Sequence, residues 1–93
     1  MRLSDFEIKT IKESIRSLDR EATVYLFGSR TDDNTRGGDI DLLIISSKFT
    51  YKESVKLRQD LYRKLDEQKI HIVFAKDIST PFVQVAHEQG VLL

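Results

Sequence analysis

Apolar residues recur along this chain in two rhythms, and the switches between them mark its elements. Over residues 4 to 19, Ile8, Ile11, Ile15 and Leu18 fall at helical spacing and form one apolar stripe. Ser4 and Glu7 have the spacing of a capping box, in which each side chain satisfies an otherwise unpaired amide, and Leu3 with Ile8 has that of a hydrophobic staple. Residues 23 to 27, Thr-Val-Tyr-Leu-Phe, are β-branched and aromatic and predict a strand that Gly28 ends. Residues 29 to 38 are polar and read as a loop, with a short helix from Ser29 as an option. Ile40 to Ile45 then runs Ile-Asp-Leu-Leu-Ile-Ile, with Asp39 at its mouth. So continuous an apolar run predicts a strand covered on both faces.

A second long helix is expected over residues 51 to 66, with Tyr51, Val55, Tyr62 and Leu65 on one side and Leu61 beside them. Residues 70 to 74, Ile-His-Ile-Val-Phe, predict a third strand. Thr80 can cap a last helix whose first residue is Pro81, a position where a missing amide costs nothing. Phe82, Val85 and Ala86 are expected to face the core. Gly90 fits the residue just past a helix end, and residues 91 to 93 an edge strand or a docked tail. Helices alternating with strands give an α/β (α+β) class: a small mixed sheet flanked by helices.

Composition narrows the function classes. The chain has 93 residues, which suits a single domain over 1–93. There is no internal repeat or linker, and no apolar run of about 18 residues that would span a membrane. The first residues include Asp5 and Glu7 and contain no apolar segment of the signal-peptide kind. Cysteine is absent, so no disulfide or thiolate metal site is possible, and a cytoplasmic setting fits. Fifteen basic residues balance fifteen acidic ones. Proteins that grip long nucleic acid usually carry a basic surplus, so a small nucleotide or a protein partner suits the balance better.

Two short motifs carry the candidate chemistry. Asp39 and Asp41 lie two apart on a strand and point to one face, where their carboxylates can converge on a metal ion. Mg²⁺ takes oxygen ligands and typically combines one or two carboxylates with substrate phosphates; the plain alternative is a solvated acidic pair. Upstream, Gly28-Ser29-Arg30 follows a strand. Gly28 lets a phosphate approach the backbone, amides of a helix starting there would point at the anion, Ser29 adds a hydroxyl and Arg30 a cation. The plain alternative is an ordinary tight turn with a polar cap.

In combination these motifs resemble a known signature. Leu26-Phe27-Gly28-Ser29-Arg30, followed by Gly38-Asp39-Ile40-Asp41-Leu42-Leu43-Ile44, resembles that of the polymerase-beta-type nucleotidyltransferases, and most of all the minimal nucleotidyltransferases often paired with a HEPN-domain partner in toxin–antitoxin systems. The ending, a third strand then Pro81-Phe82 and Glu88-Gln89-Gly90-Val91, is similar too. The resemblance implies the polymerase-beta-like fold. It implies that Gly28, Ser29 and Arg30 bind ATP or another nucleoside triphosphate, and that Asp39 and Asp41 ligate two Mg²⁺ ions. It further implies transfer of AMP from ATP onto a tyrosine of a HEPN-domain partner, with pyrophosphate leaving by in-line displacement. Two other readings stay open: a catalytically degenerate module that neutralises its partner by binding, and the nucleotide-binding subunit of a split small-molecule nucleotidyltransferase. Whether the chain forms homo- or hetero-oligomers is also open.

The chain departs from the pattern at one point of consequence. Active members of that family carry a third carboxylate on the following strand, and in the register Lys69-Ile70-His71-Ile72-Val73 that position holds His71. His71 is a strand histidine without a chemical task, or a replacement base or ligand, or the mark of a protein that binds nucleotide and transfers slowly or not at all. An imidazole ligand would weaken a Mg²⁺ site or bias it toward Mn²⁺ or Zn²⁺. Of the nearby acids, Asp66, Glu67 and Asp77, the last falls beyond the strand end. Thr31-Asp32-Asp33 stand where related loops often carry a basic residue and a glycine, with Arg36 as compensation. Tyr51 and Tyr62 fit core or partner packing, His87 a surface position, and Lys9, Lys12 and Arg16 the solvated side of the first helix.

Overall fold

Strand formation begins where the first helix is made to stop. The computed structural model describes residues 3–28, 40–65 and 70–93. Its elements, in chain order, are α1 (Asp5–Leu18), β1 (Thr23–Phe27), β2 (Ile40–Ile45), α2 (Tyr51–Lys64), β3 (Ile70–Ala75), α3 (Pro81–Gln89) and β4 (Val91–Leu92). The capping box opens α1: Ser4 Oγ accepts from the Glu7 amide at 3.1 Å, and Glu7 Oε1 accepts from the Ser4 amide at 2.9 Å. Asp19 ends the helix in an extended conformation and directs the chain into β1.

The four strands form one mixed sheet in the order β3-β2-β1-β4. β1 runs antiparallel to both β2 and β4, while β2 and β3 are parallel, joined by the α2 crossover. Ile40, Leu42, Leu43 and Ile44 are all fully buried, so the continuous apolar run of β2 reflects cover on both faces, as its sequence predicts. Ile40, Leu42 and Ile44 join Ile11 and Ile15 of α1 and Leu57 and Leu61 of α2 in the larger core. Leu43, on the opposite face, packs against Val83 and Ala86 of α3. Residues 91 to 93 do dock as an edge: Leu92 and Val91 pair with Tyr25 and Leu26, and the Leu93 amide donates to Val24 O.

Two packing expectations are corrected. In α2 the buried stripe is Leu57 and Leu61, continued by Leu65 just past the helix, while Tyr51 is 84% and Tyr62 47% exposed. The i, i+4, i+8 leucines outcompete the tyrosines because a tyrosine in the core would need a buried partner for its hydroxyl. In α3 the buried pair is Val83 and Ala86, with Phe82 and Val85 more than half exposed. Gly90 does fall just past the end of α3, in an extended conformation with φ of −78°. A Cβ there would stand 2.6 Å from Ala86 O and 3.2 Å from Leu26 O, so close approach of backbones, not handedness, requires glycine.

Candidate functional site

The ends of three strands meet on the α3 face of the sheet. In the antiparallel register Phe27 lies opposite Asp41, and in the parallel register Asp41 lies opposite His71. Residues from three separate stretches of the chain therefore form one row across the sheet. Alternation along each strand carries Tyr25, Leu43, Ile45, Val73 and Ala75 to the same face, where α3 covers them. The helix does not cover the whole row. The Asp41 side chain keeps 21% of its surface exposed and that of His71 keeps 65%. Phe82 of α3 meets Phe27 edge-to-face at 6.2 Å between ring centroids, closing the apolar floor beside the row.

Within the row, His71 Nδ1 stands 3.6 Å from Asp41 Oδ1. That separation exceeds an ordinary N–H···O bond of about 3 Å. On the other side of Asp41, Gly28 takes up a left-handed conformation with φ of +77°. A Cβ added there would collide with Asp41 Oδ2 and lie 3.1 Å from Asp41 Cγ. Two independent constraints thus call for glycine at the end of β1: the backbone angle, and the carboxylate packed where a side chain would begin.

Of the residues singled out in the sequence, Gly28, Asp41 and His71 come together. Ser29, Arg30 and Asp39 lie outside the described residues, as do Asp32, Asp33, Arg36, Asp66 and Glu67. Asp77 is at the wrong end of the sheet to serve as a third carboxylate. It lies beyond Ala75, which pairs with Ile45, and the four residue steps from His71 to Ala75 already span about 13 Å of strand. Its Oδ1 accepts the Ser79 amide at 3.0 Å, and bonds from the Ser79 side chain and backbone hold its carboxyl below the ordinary value. Among the described residues no group of three His, Asp or Glu side chains is placed to hold a metal. Asp41 suits a hard divalent cation, whereas the imidazole of His71 departs from the all-oxygen set that Mg²⁺ prefers.

Sequence reasoning placed His87 at the surface; instead it is half-buried against β1. Its Nε2 lies 3.1 Å from the Tyr25 hydroxyl, and the two rings meet edge-on at 4.7 Å. This contact ties α3 to β1, which shares the row through Phe27. No sequence signal marked it, since the partners are separated by 62 positions. Among the described residues no helix is long and apolar enough to cross a membrane. No curated protein matches the chain. A family model does, that of the nucleotidyltransferase domain, over residues 8–93.

Proposed function

The chain belongs to the nucleotidyltransferase domain family, and from that membership we propose that it transfers a nucleoside monophosphate, AMP from ATP, to a hydroxyl of a partner protein. Nucleotidyl transfer as a reaction class, and the polymerase-beta-like fold, come with the family. The finer reading is that of an antitoxin acting on a HEPN-domain partner. Transfer at this end of the sheet is supported by the Gly28–Asp41 contact, which sets a positive-φ glycine turn directly against a strand carboxylate, whereas the antitoxin reading rests on the likeness of the Gly28-Ser29-Arg30 and Asp39-Ile40-Asp41 motifs to the minimal nucleotidyltransferases.

In this reading the backbone at Gly28, with Ser29 and Arg30, receives the triphosphate. The missing Cβ makes room for the Asp41 carboxylate directly beside this turn. Asp41, with Asp39, would hold a divalent cation, which when bound would supply positive charge against the triphosphate. The oxygen of the acceptor hydroxyl bonds to the α-phosphorus, the bond from that phosphorus to the oxygen bridging to the β-phosphate breaks, and pyrophosphate departs. The hydroxyl proton passes to solvent. The chain's residues contribute position and charge in this step, which suits a displacement in which little covalent chemistry falls to the protein.

The experiment is incubation with α-labelled ATP, a divalent cation and the purified HEPN-domain partner. Label on the partner that disappears with Asp41→Ala supports transfer. A stable complex without label supports the second reading, a module that neutralises by contact, which the histidine at position 71 favours. Label on a hydroxylated small molecule, seen only with the partner present, supports a split small-molecule nucleotidyltransferase.

A further inference from the structure

The donors that face each other across β2 and β3 are of different chemical kinds. Asp41 offers a carboxylate oxygen and His71 an imidazole nitrogen. Strand register sets the backbones of these two residues side by side. The 3.6 Å between Oδ1 and Nδ1 is wide for a hydrogen bond and close to the span of two donors sharing one cation. With bonds of 2.0–2.1 Å, two donors are about 3.4 Å apart at a tetrahedral angle and about 2.9 Å apart at the right angle of an octahedron. The observed spacing is nearer the first.

Mg²⁺ requires a near-ideal octahedron of oxygens and parts reluctantly with its water. Zn²⁺ accepts tetrahedral sets of imidazole and carboxylate, and Mn²⁺ tolerates nitrogen better than Mg²⁺ does. We propose that Asp41 and His71 together bind a first-row transition cation, Zn²⁺ or Mn²⁺, in preference to Mg²⁺, with His71 Nδ1 as a direct ligand. Triphosphate oxygens and water complete the coordination, and in that respect the inference rests on the nucleotidyl-transfer reading of this end of the sheet. The His71 side chain keeps 65% of its surface exposed, which leaves that ligand close to solvent.

The test is direct titration of the full chain with ZnCl₂, MnCl₂ and MgCl₂, followed by calorimetry, for the native protein, His71→Ala and His71→Asp. Pulsed electron paramagnetic resonance of the Mn²⁺ complex reads nitrogen coordination. The native chain is expected to bind Zn²⁺ or Mn²⁺ at least about tenfold more tightly than Mg²⁺, and His71→Ala to lose about tenfold or more of that affinity. His71→Asp should narrow the gap by restoring an all-oxygen set. A ¹⁴N modulation from imidazole should be present in the native complex and absent from His71→Ala. Equal affinity for Mg²⁺, a preference that survives His71→Ala, or a Mn²⁺ spectrum without nitrogen would overturn the proposal. Because His71 is largely exposed, both variants should keep the native thermal transition. Affinity for a non-hydrolysable ATP analogue is read in parallel. Failure of the analogue to bind with any cation, while the preference persists, sinks the transfer reading; a bound analogue without cation preference sinks this one.

Discussion

Gly28 and Asp41 are packed so closely that the glycine has no room for a methyl group: Asp41 Oδ2 occupies the place where its Cβ would be. The φ of +77° imposes a second constraint, because an L-residue in that region pays about 1–2 kcal/mol. Gly28→Ala should therefore destabilise the fold by at least about 1–2 kcal/mol and also push the Asp41 carboxylate out of its row. Urea denaturation measures the first effect, and cation titration of the folded fraction the second. A variant with native stability and native cation affinity would show that the contact has no consequence.

Asp19 makes a separate, acid-sensitive link between the end of α1 and the residue after β2. It is buried, and its Oδ2 accepts a short hydrogen bond from the Ser46 hydroxyl. That bond is the main reason its carboxyl sits below its ordinary value of 3.8, with the Glu21 amide and Lys48 adding to it against the opposing effect of burial. A carboxyl depressed in the folded state stabilises fully above its unfolded value, and that stabilisation is lost as pH falls through the folded value. Thermal unfolding should thus be flat on this account above about pH 4 and decline below 3.8. Ser46→Ala should cost about 1–3 kcal/mol at neutral pH and flatten the acid limb, as measured by denaturation at several pH values.

Much of this architecture is legible in the chain itself. The capping box, the strand bounds Thr23–Phe27 and Ile40–Ile45, and the Thr80–Pro81 helix start rest on local chemistry, which the sequence displays directly. The mixed sheet follows from the order of elements, and the cover on β2 from its unbroken apolar run. The site was legible in part. Gly28, Asp41 and His71 each stand out by residue type, but only pairing across strands sets Asp41 against His71. What eluded the reading were helix faces, where two stripes compete. In α2 the tyrosines and the leucines both have helical spacing, and what decides between them is the sheet onto which the helix folds.

That choice of face gives a direct contrast in stability. Leu57 is fully buried between α1 and the sheet, while Tyr51 is 84% exposed at the start of the same helix. Leu57→Ala should cost about 2–5 kcal/mol, the range for emptying a packed leucine site. Tyr51→Ala should stay within about 0.5 kcal/mol, as expected for an exposed position without packing. Chemical denaturation of the two variants under one set of conditions settles the assignment, and a large loss for Tyr51→Ala would reverse it.

The free side of β3 accounts for two α2 residues that neither the core nor the site employs. Among the described strands β3 is an edge, and its outward carbonyls would be open to another strand. Tyr62 Oη donates to Ile70 O at 3.3 Å, and Arg58 Nη2 donates to Ile72 O at 3.4 Å. The Arg58 guanidinium also lies 5.7 Å from the centre of the Phe74 ring, so its stem and head cross the edge rather than extend into solvent. At these lengths each bond is weak, and removing both by Arg58→Ala with Tyr62→Phe should cost only about 1 kcal/mol of stability. The larger effect should be on association, because two accepting carbonyls become available to the strand of a second molecule. Sedimentation velocity across a concentration series should show the double variant self-associating where the native chain does not. Unchanged sedimentation would mean that the edge is guarded by something other than these two side chains.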